Sequence, residues 1–60
     1  MEKVKWDIEN SDGNAFAILG GWQKYARRQG WTPEAIKEVV DKATTGDYDH
    51  LLQTILAVTE

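Results

Sequence analysis

The chain has sixty residues, no cysteine, a single histidine, a net charge of −3 and a pI near 5.0. A domain this small buries only about 60% of the surface its unfolded chain exposes. With no cysteine for disulfides and one histidine for a metal site, self-association is the remaining support, and a homodimer is expected. The acidic balance lacks the basic excess by which nucleic-acid binders gain affinity. No apolar run approaches the roughly 18 residues of a membrane span, and the opening Met1 to Asp7 has no apolar leader core. Together with the absence of cysteine, this reads as a cytoplasmic protein of one domain, residues 1–60, with no cofactor.

Val4, Trp6 and Ile8 alternate with Lys3, Lys5 and Asp7, the period of two that predicts a short N-terminal strand. Glu9 to Asn14 concentrates turn formers and predicts a loop. Asn14 is placed to cap a first helix whose inward stripe is Ala15, Ile18, Leu19, Trp22, Tyr25 and Ala26. That helix ends near Gln29, with Gly30 as the left-handed residue beyond it and Lys24, Arg27 and Arg28 at the negative pole of its dipole. Gly20 and Gly21 stand mid-helix, where each costs up to about 1 kcal/mol against alanine. Close approach of another part of the fold is the expected compensation, with a bend or an intermolecular contact as alternatives.

Thr32, Pro33 and Glu34 open a second helix with a cap, a proline at the first position and an acid in the first turn. Trp31 and Ile36 have the spacing of a hydrophobic staple. Ile36, Val39, Val40 and Ala43 form the inward stripe, and Gly46 ends the segment. A third helix starts at Asp47 and carries Tyr48, Leu51, Leu52, Ile55 and Leu56 inward. The tail from Ala57 to Glu60 can fray, continue the helix, or extend and pair with the N-terminal strand. Pairing is favoured, because a lone strand leaves its backbone groups without partners. The expected fold class is α+β and mainly helical: a short N-terminal strand, three helices and a short C-terminal strand.

Little in the chain suggests chemistry. Asp47, Asp49 and His50 are the only bunched metal ligands, but neighbours on a helix point about 100° apart, whereas zinc sites use donors such as an i, i+4 histidine pair. Ser11 and His50 are the only serine and histidine, and no spacing brings them together with an acid that would orient the base. No catalysis and no metal are expected. Asp12-Gly13-Asn14 ahead of a helix has the look of an anion site, yet Asp12 would repel the anion, so turn plus cap is the plainer reading. Lys24, Arg27 and Arg28 offer a basic stripe for nucleic acid, with Trp22 or Tyr25 nearby for stacking; a solvated helix end is the stronger reading, because Trp22 and Tyr25 belong to the apolar face. Three tryptophans are many for sixty residues, and Trp6, outside the staple and the helix stripe, is the aromatic most available for an interface.

The segment Asp12 to Gly20, followed by a helix ending in basic residues and then by Thr45 to Thr54, resembles a family of small uncharacterised proteins from bacteria and their phages. The shared features are a Gly-Asn-Ala-Phe motif at residues 13–16 and a Gly-Asp-Tyr-Asp motif at residues 46–49. The resemblance implies a prokaryotic, phage- or mobile-element setting and no particular activity. Each motif is a turn, a cap and the first turn of a helix, and the two can meet: Phe16 can reach Tyr48, and Asp47 or Asp49 can accept bonds from the Gly13–Asn14 backbone.

The expected function is a small protein-binding module that modulates or inhibits a host or phage protein, with Trp6, Asp12, Asn14, Asp47, Tyr48 and Asp49 as candidate contact residues. The alternative is a nucleic-acid-binding accessory protein using Lys24, Arg27 and Arg28.

Overall fold

The structure is a computed structural model that describes residues 3–60 apart from Ser11. Among the described residues three α-helices form, each from the cap its sequence supplies. In α1 (Ala15–Arg28) the Asn14 carboxamide accepts the Phe16 N–H; in α2 (Pro33–Ala43) the Thr32 hydroxyl accepts the Ala35 N–H; in α3 (Tyr48–Ala57) the Asp47 carboxylate accepts the His50 N–H. Each cap satisfies one of the donors that a helix start leaves without a partner.

α1 stops through the backbone bonds of a Schellman turn. Gly30 N–H donates to Arg27 C=O at 3.3 Å and Trp31 N–H to Ala26 C=O at 3.0 Å, with Gly30 at φ +95°, the left-handed region that glycine enters without steric cost. α2 ends differently. Thr44 and Thr45 turn their hydroxyls back onto the Val40 and Lys42 carbonyls at 2.9 and 2.7 Å, and the His50 Nε2 reaches the Lys42 carbonyl at 2.8 Å. A carbonyl can only accept, so this bond places the proton on Nε2. The imidazole lies where a Cβ on Gly46 would fall, 2.9 Å from its Cγ, so the glycine there serves close packing.

The three helices pack pairwise into a body measuring 27 × 24 × 16 Å. Among the described residues the buried apolar core is Val4, Ile18, Trp22, Ala26, Ile36, Ala43, Leu51 and Ile55, the centres of the three stripes plus one residue of the N-terminal segment. Trp22 is its largest member. Trp31 packs on that core and meets Trp22 edge to face, centroids 5.2 Å apart, an arrangement favoured by the ring quadrupoles.

The expected strands do not form. Val4 and Thr59 make one isolated parallel bridge, with Val4 N–H donating to Val58 C=O at 2.9 Å and Glu60 N–H to Val4 C=O at 2.8 Å. The reason lies at both ends. After Ala57 the Val58 and Thr59 N–H groups still donate back to the Ile55 and Leu56 carbonyls at 3.1 and 3.2 Å, so this stretch is turned and not extended. On the other side, the Asp7 carboxylate accepts the Glu9 N–H at 3.2 Å and bends the chain into a 3-10 turn at Ile8–Asn10. The fold is therefore mainly helical. The next backbone pair is satisfied by a side chain: Lys5 N–H donates to Gln29 Oε1 at 2.8 Å and Gln29 Nε2 donates to Lys5 C=O at 3.0 Å. One carboxamide thus does for Lys5 what a neighbouring strand would do.

Candidate functional site

The two loop motifs meet in space. The Tyr48 hydroxyl donates to the Gly13 carbonyl, tying the first turn of α3 to the turn that precedes α1. Asp12, Gly13, Asn14 and Phe16 therefore share one end of the molecule with Asp47, Tyr48 and Asp49. The contact is made by the tyrosine and not, as expected, by an aspartate. Asp47 is committed to the His50 N–H, and Asp12 and Asp49 lie exposed.

Phe16 is the outlier of this end, because it is 85% exposed. The cap at Asn14 and the spacing of the inward stripe force that position. Ile18 and Trp22 face the core, which turns Phe16, two residues earlier, outward. Tyr48, expected inward, is 45% exposed, since its ring must lie across the surface for the hydroxyl to reach Gly13. Leu56 is 44% exposed for a different reason: it forms one wall of a groove of about 520 Å³ together with Trp6 and Ile8.

Trp6 lies away from this end. Its indole covers Gly21, where a Cβ would fall 2.6 Å from Cζ2, and stacks on Tyr25 with centroids 6.3 Å apart and planes at 24°. Most of what this ring can gain by burial is realised inside the chain. Asn14 is likewise committed to its cap. Asp12, Phe16, Tyr48 and Asp49 are left facing solvent, with the Asp47 carboxylate holding the turn beneath them. Sequence reasoning missed Phe16 as a contact candidate. The available signal was its place outside the apolar stripe of its own helix.

The basic residues sit at the opposite end of α1. Arg28 lies over the Tyr25 ring, 5.8 Å from its centroid. Arg27 borders a groove of about 370 Å³ between α1 and α2, whose wall includes Pro33, Ile36 and Val40 and whose rim includes Gln23 and Lys37. Lys24 is exposed beside them. α2 adds Lys37 to the rim of the same groove, whereas α3 carries no lysine or arginine.

A larger groove, about 730 Å³, runs between α2 and α3 past Val39, His50, Thr54 and Val58, with Glu38, Asp41 and Lys42 at its edge. His50 is its only imidazole, and the Nε2 of that ring is held by the α2 terminus. Among the described residues no group of three or more His, Cys, Asp or Glu side chains is placed to hold a metal ion, and no helix is long and apolar enough to cross a membrane. The serine weighed as a nucleophile, Ser11, lies outside the described residues.

Comparison with models of protein families, with curated proteins and with solved structures gives no match. The site is therefore described by its own geometry: an exposed phenylalanine in the first turn of capped α1, a Tyr48–Gly13 hydrogen bond tying the preceding turn to α3, and the exposed carboxylates of Asp12 and Asp49.

Proposed function

We propose that this chain is a small protein-binding module whose contact face is the motif junction, with Phe16 as the anchor. Tyr48 is the secondary apolar contact, and Asp12, Asp47 and Asp49 form the polar rim. The carrying observation is Phe16: a large aromatic residue, 85% exposed, in the first turn of a capped helix whose preceding turn is hydrogen-bonded to Tyr48. Rigid aromatic anchors ringed by polar groups are the usual source of binding energy at protein interfaces, and a pre-ordered anchor loses little entropy on docking. The motif resemblance suggests a phage- or mobile-element protein that modulates or inhibits a host or phage protein.

Affinity capture from bacterial lysate, with and without phage infection, tests the reading when Phe16→Ala is run beside the unaltered protein. Loss of a reproducible protein partner, with folding intact by circular dichroism, supports it. Equal capture by both proteins overturns it, and recovery that depends on nuclease-sensitive material points instead to Lys24, Arg27 and Arg28.

A further inference from the structure

We infer that the exposed stripe of α1 is self-complementary, and that the partner it fits is a second copy of this chain, joined antiparallel through Phe16 and the groove beside Arg27. The inference rests on the reading of Phe16 as a contact residue and names the occupant that meets it. Phe16, Gly20, Gln23 and Arg27 follow one another at spacings of four, three and four residues, so they lie on one helical face. Phe16, Gly20 and Arg27 are exposed, and Gln23 is partly so.

Three features along this face match one another under a two-fold axis. At the N-terminal end stands the projecting Phe16 ring, with Asp12 just before it. At the C-terminal end lies the groove of about 370 Å³, with an apolar wall of Pro33, Ile36 and Val40 and the cations Arg27 and Lys37 at its edge. In the middle is Gly20, where an added Cβ would meet nothing within 4 Å. Gly21 is explained by Trp6, whereas no packing reason for Gly20 is found among the described residues of its own chain. A bare backbone at that point allows a second helix to come close.

The register is set by the helix itself. An axis through the Gly20–Gly21 level places Phe16 of one copy opposite the level midway between Gln23 and Arg27 of the other, each about 7 Å from the axis at 1.5 Å rise per residue. The ring then enters the α1–α2 groove, flanked by Gln23 and Arg27, and its face is available to the Arg27 or Lys37 cation. The same pairing carries Asp12 toward the Arg27–Arg28 end of the other copy, acid against base. Every contact occurs twice, as a two-fold interface requires. Such an interface is small and belongs to the weak, reversible class.

Sedimentation equilibrium from about 10 μM to about 1 mM tests the pairing by mass action. The unaltered protein is expected to shift from monomer to dimer with concentration. Phe16→Ala, and separately Gly20→Gln, which puts a helix-favouring side chain on the axis, should each raise the dissociation constant at least about tenfold. Because both positions are exposed, both variants should keep their circular dichroism spectra. A monomer throughout, or a dimer unchanged in both variants, overturns the inference. If the unaltered protein is monomeric yet Phe16→Ala still loses a captured protein, self-pairing fails while Phe16 stands as a contact residue.

Discussion

The indole of Trp6 lies flat enough against Gly21 that a single added methyl group would sit 2.6 Å from its Cζ2 atom. The two adjacent glycines of α1 therefore have opposite expected responses to alanine. Gly21→Ala gains up to about 1 kcal/mol of helix propensity but must push Trp6 off Tyr25, and overpacking of this kind costs about 1–3 kcal/mol; net destabilisation follows. Gly20→Ala meets no neighbour among the described residues and should raise stability by up to about 1 kcal/mol. Urea unfolding at a concentration low enough to exclude association checks both, and equal effects at the two positions would contradict the packing described.

Gln29 closes the open side of the N-terminal segment with two hydrogen bonds to Lys5. Gln29→Ala should cost about 1–2 kcal/mol, the net worth of two such bonds partly replaced by water. Gln29→Glu removes the Nε2 donor and sets a carboxylate oxygen against the Lys5 carbonyl, so it should cost at least as much. Amide hydrogen exchange gives the specific readout: the Lys5 N–H should exchange faster in Gln29→Ala and remain protected in Gln29→Glu, whose other oxygen can still accept it. Unchanged Lys5 exchange in Gln29→Ala would show that the pairing is not formed in solution.

The three helix starts and the stop of α1 were the most legible part of this sequence, because they depend on local chemistry. Asn14, Thr32 and Asp47 cap the helices they were expected to cap, and Gly30 takes the left-handed position after α1. The period of two at Val4, Trp6 and Ile8 misled for a physical reason: alternation reports which side chains face inward, and Val4 and Trp6 do pack inward, but a ladder also needs a partner strand of matching length. Val58 and Thr59 stay turned back onto the last carbonyls of α3 and do not supply one. At the junction, the meeting of the two motifs was readable from their shared turn chemistry. The bridging atom was not, because choosing between a tyrosine hydroxyl and a nearby carboxylate needs tertiary distances. Tyr48 and Leu56 were assigned inward by spacing alone, which cannot foresee a ring drawn across the surface to a backbone acceptor or a leucine left on the wall of a groove.

The Tyr48 hydroxyl separates the structural from the contact role of the junction. Tyr48→Phe deletes only the donor to Gly13 and should lower stability by about 0.5–1.5 kcal/mol, while the aromatic surface offered to a partner stays in place. Phe16→Ala should do the reverse, leaving the unfolding midpoint within about 0.5 kcal/mol of the unaltered protein, as surface changes usually do, and removing binding. Chemical denaturation paired with capture resolves the two. A large loss of stability in Phe16→Ala would mean that the ring supports the fold.

Phe16 is the only phenylalanine in the chain, so biosynthetic 4-fluorophenylalanine puts one fluorine at the proposed anchor and nowhere else. In dilute protein its 19F resonance should be sharp and near the position of a solvated ring. It should move and broaden when a captured partner is added, or when the protein is concentrated so that it pairs with itself. A resonance that stays at the solvated position while a complex demonstrably forms would place the binding face elsewhere and contradict the role given to Phe16.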